Sequence, residues 1–202
     1  MKLLIATHNQ GKIREYSDLL ADLPLEVTWL ANEGISFEAE ETQETFADNA
    51  AQKAAIYAQA SGLWTWADDS GLSVDALDGR PGVYSARYGG KGLVQTQRNA
   101  LLLEELSAFP RSSWTARFHC AVAIAIPQPE GDPAIYLVDG ALEGQITDQP
   151  RGNNGFGYDP LFLVEGRDET LAEITSWEKN LISHRARAAA KARTLLATLL
   201  AR

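Results

Sequence analysis

Apolar positions along the chain alternate between a period of two and a period near 3.6, and the switches between them mark the elements. Lys2 to Ala6 is a short apolar run that predicts a first strand; Ile13, Tyr16, Leu19 and Leu20 then recur at helical spacing. Pro24 closes that helix, and Glu26 to Leu30 predicts a second strand. Thr45-Phe46-Ala47-Asp48 is a capping pattern opening an alanine-rich helix to Ser61, with Gly62 as its stop. Phe46, Ala50, Ala54, Tyr57 and Ala58 line its core face. Leu63 to Ala67, with β-favouring Trp64, Thr65 and Trp66, reads as a strand ending in Asp68-Asp69-Ser70-Gly71. Leu72 to Leu77 reads as another, closed by Asp78-Gly79.

The second half continues in the same alternation. Leu93 to Leu106 predicts a helix, and Thr115 to Ile126 a long strand with Phe118, Cys120, Val122, Ile124 and Ile126 on one set of alternates. Ala134 to Asp139 is its partner, Leu142 to Ile146 extends the sheet, Leu161 to Val164 adds a strand, and Ala186 to Leu200 closes the chain as a helix. Strands interleaved with helices predict an α/β fold.

Length and charge narrow the class. The 202 residues fit one domain, 1–202, with room for two lobes, and the 45% hydrophobic content supplies a sizeable core. A formal charge of −9, from 18 basic and 27 acidic residues, argues against a binder of nucleic-acid polymers, which needs a basic face. The apolar runs are too short to span a membrane, and the start does not read as a secretory signal. The lone cysteine, Cys120, sits in a strand pattern and reads as a buried thiol, so the expected compartment is the cytoplasm. His8, His119 and His184 are too scattered for a zinc signature.

Three stretches carry chemistry. Asp68 and Asp69, at the end of a strand, would project from the carboxyl edge of a sheet, where open α/β folds bind ligands. Hard carboxylate oxygens there suit Mg²⁺, which takes one or two carboxylates and leaves positions for substrate phosphates. Upstream lies an acidic stretch, Phe37 to Glu44, from which Glu40 or Glu41 completes a metal site begun by Asp69; spacing does not choose between them. Lys53, a turn from Asn49 on the long helix, points either toward such a site or to water.

The first β–α loop, Thr7-His8-Asn9-Gln10-Gly11-Lys12, is polar and contains glycine before a helix. That arrangement grips phosphate with backbone N–H groups and a helix N-terminus. Lys12 adds a point charge, while Thr7 and Asn9 add donors. It is not a Walker loop: the motif's first glycine falls at Ala6, and Ile13 follows the lysine. The second informative loop, Gly152 to Pro160, interleaves glycines with Phe156, Tyr158 and Asp159, which lets a backbone pass close to a flat ligand while rings stack on it. Because the two loops lie at opposite ends of the sequence, a cleft between two lobes sharing one sheet is the natural arrangement. Trp177 to Asn180 and Ser183-His184-Arg185 place cationic donors just before the closing helix, against its dipole, which suggests a use other than capping.

These blocks resemble the inosine triphosphate pyrophosphatase family, most closely its bacterial-type dITP/XTP pyrophosphatases. The resemblance rests on Thr7 to Lys12, Glu40-Glu41-Thr42, Ala67 to Leu72, Pro81 to Tyr88, Phe156 to Pro160 and Ser183-His184-Arg185, which occur in family order over nearly the whole chain. It implies an α/β fold with a long mixed central sheet flanked by helices, two lobes with the active-site cleft between them, and a homodimer. It also implies Mg²⁺-dependent hydrolysis of non-standard purine nucleoside triphosphates (ITP, dITP, XTP) to monophosphate and pyrophosphate. By the same resemblance Asp69 is the catalytic acid–base residue and a metal ligand, with Glu40 the second ligand. Thr7, His8, Asn9, Gln10, Gly11, Lys12 and Ser70 would hold phosphates, helped by Lys53. Phe156, Gly157, Tyr158, Asp159, Lys179, His184 and Arg185 would hold the base.

Overall fold

β1 (Lys2–Ile5) is flanked on both sides by parallel neighbours, β2 (Glu26–Trp29) and β3 (Trp64–Val74), and its shortness shapes the site. The computed structural model describes residues 1–90 and 92–201. The other strands are β4 (Thr115–Ile126), β5 (Ala134–Ile146) and β6 (Phe162–Val164). Among the described residues these six form one sheet in the order β2-β1-β3-β4-β5-β6. The β5–β6 pair is antiparallel, so the sheet is mixed, as expected. The helices are α1 (Gln10–Leu19), α2 (Phe46–Ser61), α3 (Gln95–Leu106), α4 (Ser176–Ile182) and α5 (His184–Leu200). Among the described residues, none is long and apolar enough to cross a membrane.

The chain divides into two compact units. The first comprises Met1–Asp69, Cys120–Gly140 and the stretch from Arg185 onward. The period of two in its strands sorts side chains onto two unlike faces. Leu3, Ile5, Trp66, Cys120, Val122 and Ile124 pack against Tyr16 and Leu20 on one side of α1 and against Ala188, Ala189, Ala192 and Leu196 of α5. The intervening residues Leu4, Ala6, Ala67, Ala121, Ala123 and Ala125 meet Ala50, Ala54, Tyr57 and Ala58 of α2. Small residues on both partners let α2 lie close to the strands. Thr45 caps α2 by accepting from the Asp48 N–H, and Gly62 ends it in the left-handed region.

The second unit, Ser70–His119 and Ala141–His184, has its own core. Leu72, Val74, Leu102, Leu106, Phe118, Tyr158, Leu161 and Phe162 are among its buried residues.

Three expectations are corrected. β3 does not stop at Ala67: it runs on to Val74, so Asp68-Asp69-Ser70-Gly71 is strand, not turn. The acids lie just past the end of β1, whose last register partner on β3 is Trp66; farther along, Ser73 of β3 bridges Pro81 and the Val74 N–H donates to the Arg80 carbonyl. The two strands read as Ala134–Asp139 and Leu142–Ile146 are one continuous β5, whose Gly140 is buried rather than a break. Lys179 sits on a separate helix, α4, which ends at Ser183 in extended conformation (φ −63°, ψ 157°), and α5 begins at His184, two residues before the predicted start.

Candidate active site

Adjacent residues of a strand face opposite ways, and Asp68 and Asp69 therefore enter different environments. Asp68 turns toward the α1 and α5 side. Lys12 Nζ lies 2.9 Å from its Oδ2, Arg185 Nε 3.7 Å away, and Cys120 Sγ 3.8 Å away. Arg185 is fully buried, with Nη1 paired to Glu15 and its guanidinium 5.9 Å from the Tyr16 ring. Burial pushes the Asp68 carboxyl up, but Lys12, Arg185 and Lys53 outweigh it and hold the group below the ordinary carboxylate range. The same burial, reinforced by the Asp68 charge, pushes the Cys120 thiol up to about 12, so it is an inert neighbour.

Asp69 turns toward α2. Asn49 Nδ2 donates to its Oδ2 at 3.0 Å. Lys53 Nζ, also buried, donates to the Asp68 carbonyl at 2.6 Å and to Glu41 Oε1 at 2.5 Å. Burial raises the Asp69 pKa, and the Glu41 and Asp68 charges add to that against the opposing pull of Lys53 and Lys12. Two neighbouring carboxyls are thus shifted in opposite directions by their surroundings.

In the first loop, Asn9 is the N-cap of α1, its Oδ1 accepting from the N–H groups of Gly11 (2.8 Å) and Lys12 (3.1 Å). Thr7 Oγ1 accepts from the Asn9 N–H, and His8 Nε2 lies 3.1 Å from the Phe37 carbonyl oxygen. His8, Asn9 and Gln10 are exposed, so this loop offers solvent-facing groups beside the half-buried Lys12 and its buried partner Asp68. Ser70 follows Asp69 along β3.

The acidic stretch separates its two candidates. Glu40 is exposed, whereas Glu41 is half-buried, tied to Lys53, and felt electrostatically by Asp69. Among the described residues no cluster of three His, Cys, Asp or Glu side chains forms a ready-made metal cage. The donor set that is present, hard carboxylates with raised negative charge around Asp69, fits an ion that takes few protein ligands and completes its shell with water and phosphate. Asn49, named in the sequence only as the neighbour of Lys53, had no role assigned there, although it carries a signal: with Lys53, it is a buried polar residue on the apolar stripe of α2. Glu15 carries none, being one more charge on an ordinary helix.

The second unit gathers the aromatic loop. Lys179 Nζ and the Phe156 N–H both donate to Asp159 Oδ2, at 2.5 and 2.8 Å, and the ammonium lies 4.9 Å from the Phe156 ring centroid. Gly155 has φ +72°, and a side chain on it would strike the Asp159 carboxylate. His184 is buried with its ring stacked on Phe118, centroids 4.7 Å apart and planes 12° from parallel. Tyr158 is buried too and donates its hydroxyl to the Ser85 carbonyl at 3.0 Å. Phe156, Gly157, Asp159, Lys179 and His184 therefore share one unit, while Arg185 belongs with Asp68 in the other.

The dITP/XTP pyrophosphatase of Bacillus licheniformis is 48% identical over 195 residues, covering 96% of this chain and 97% of the relative. That of Bacillus subtilis is 48% identical over 193 residues, covering 96% of each. Among solved structures, a HAM1 protein from Coxiella burnetii superposes with a TM-score of 0.88 at 40% identity, covering 98% of this chain and 99% of that one. The Ham1 family pattern matches residues 3–195, and the chain belongs to the Ham1 family.

Proposed function

We propose that this chain is a nucleoside triphosphate pyrophosphatase that hydrolyses ITP, dITP and XTP to the monophosphate and pyrophosphate, keeping non-standard purines out of DNA and RNA. The observation that carries the reading is the Asp68–Asp69 pair, two buried neighbouring carboxyls in contact with Lys12, Lys53 and Asn49. It is supported by the names of relatives sharing nearly half their residues with this chain.

In this reading Asp69 takes the proton of a water aimed at the α-phosphorus, a role its raised pKa favours. Lys12 and the α1 N-terminal loop, with Ser70 beside Asp69, hold the phosphate tail and offset the charge on departing pyrophosphate. Lys53 fixes the Asp68 backbone and Glu41. Asp69 with Glu40 or Glu41 would hold Mg²⁺, which when bound would supply charge neutralisation to the phosphates. Arg185 keeps Asp68 ionised.

Phe156 lies on the base, while Lys179 and His184 offer donors to it. Hypoxanthine and xanthine present O6 as an acceptor where adenine presents an amino donor. Lysine and histidine donors at that edge donate to the keto oxygen and leave adenine unpaired, a difference that in such sites reaches about 10⁴-fold. The enzyme would act as a cytoplasmic homodimer on the free nucleotide pool.

A panel of triphosphates with Mg²⁺ tests this directly. Pyrophosphate and monophosphate should appear from ITP and XTP and scarcely from ATP. Orthophosphate with a nucleoside diphosphate as first products, or tight ITP binding with no product, would overturn it.

A further inference from the structure

Ser85 stands at the middle of a hydrogen-bonded chain joining the aromatic loop to β3. Its Oγ donates to the Gly82 carbonyl at 2.7 Å and accepts from the Leu72 N–H at 2.9 Å. Its own carbonyl accepts from the Tyr158 hydroxyl at 3.0 Å. Leu72, Ser85 and Tyr158 are all buried. A second strut stands beside it: buried Asn99 donates from Nδ2 to the Gly157 carbonyl at 3.4 Å and accepts from Gln95 Nε2 at 2.9 Å.

Gly157 and Tyr158 are thus held from beneath, and the residues flanking them, Phe156 and Asp159, carry the contacts to Lys179. A tyrosine that is 3% exposed and has its hydroxyl committed to a main-chain oxygen does not present its ring to a base. Burial also drives its phenol well above its ordinary pKa, so it remains a donor.

We infer that Tyr158 and Ser85 are positioning residues: the Tyr158–Ser85–Leu72 chain fixes the plane of Phe156 and the seat of the Asp159–Lys179 pair, and so sets how tightly the purine is gripped. The inference rests on the reading of this loop as the base-holding one. It separates Tyr158 from its neighbour Phe156, which would touch the base directly.

Tyr158→Phe removes one hydroxyl and keeps the ring. Two readouts apply: steady-state hydrolysis of ITP, and amide hydrogen exchange at Phe156 in substrate-free protein. We expect KM for ITP to rise about tenfold, the equivalent of one good hydrogen bond, with kcat within about twofold of wild type. Exchange at Phe156 should quicken in the same variant. Ser85→Ala should behave alike, and the double variant should be no worse than the more affected single, because both break one chain. Unchanged exchange at Phe156 in Tyr158→Phe overturns the inference, whatever activity does. So does an unaltered KM in Tyr158→Phe alongside a raised one in Tyr158→Leu, the signature of direct stacking. If wild-type protein releases no pyrophosphate from ITP, the functional reading falls while the exchange experiment still decides the buttress.

Discussion

Lys179 Nζ lies 2.5 Å from Asp159 Oδ2, and neither side chain is more than 4% exposed. The same oxygen accepts the Phe156 N–H, so one carboxylate anchors both the cation and the backbone bearing the ring. Two buried opposite charges in contact are worth little net, but stripping one partner leaves the other desolvated and unpaired.

Asp159→Asn and Lys179→Met should therefore each cost about 3–5 kcal/mol of stability, measured by urea denaturation. The double variant should recover a large part of that loss, because the stranded charge is gone. It should also lose preference for ITP over ATP. Simple additivity of the two losses would show that the pair does not act as a unit.

Gly155→Ala tests the same anchor from the backbone side. At φ +72° an alanine is strained by about 1 kcal/mol, and its methyl meets the Asp159 carboxylate. The expected result is a raised KM for ITP with kcat largely retained, since Asp69 and its surroundings are untouched. A fall in kcat at unchanged KM would contradict it.

Asp69→Asn should lower kcat by about 10²–10⁴-fold and yet stabilise the protein at neutral pH. The sign follows from the raised pKa. A carboxyl harder to ionise when folded contributes stability below its unfolded pKa, and loses that contribution as pH rises through the folded value. At pH 7 wild type bears the full cost of a buried anion, which asparagine avoids while still accepting from Asn49. Urea unfolding should favour the variant at pH 7, with the gap closing below about pH 4. Millimolar Mg²⁺ should raise the melting temperature of wild type and leave the variant's nearly unchanged.

How far the chain could be read in advance depended on whether a signal was local. The α2 boundaries follow from Thr45 and Gly62, and its core face from alanine spacing, so both were legible. Asp68-Asp69-Ser70-Gly71 looked like a turn because turn-forming residues cluster there, yet they lie within β3, a strand with hydrogen-bonded neighbours on both sides in the sheet. Tertiary pairing overrode local propensity. Arg185 next to His184 invited one shared role, but consecutive helical residues point about 100° apart, and the structure sends Arg185 to Glu15, 170 positions earlier in the chain. Asn99 gave no sign, and Ser85 stood inside the Pro81–Tyr88 block without a role of its own, since a serine and an asparagine acquire meaning only from the carbonyls they meet. Glu41 and Glu40 could not be ranked by spacing; burial distinguishes them.

Asp68 is buried, which alone would raise its pKa, but Lys12, Arg185 and Lys53 bring it below the ordinary range. A depressed carboxyl contributes stability above its unfolded pKa and surrenders it as pH falls through the lower folded value. Lys12→Met removes the first of those three cations and the 2.9 Å contact with Asp68 Oδ2. The folded pKa of Asp68 then rises, so stability should begin to fall at a higher pH than in wild type. At pH 7 the loss of a hydrogen bond between charged groups should cost about 1.5–3 kcal/mol. Circular dichroism followed through an acid titration should place the unfolding midpoint of Lys12→Met at higher pH than wild type. An unshifted midpoint would mean that Arg185 and Lys53 alone suffice to keep Asp68 charged, and that Lys12 is reserved for the phosphates.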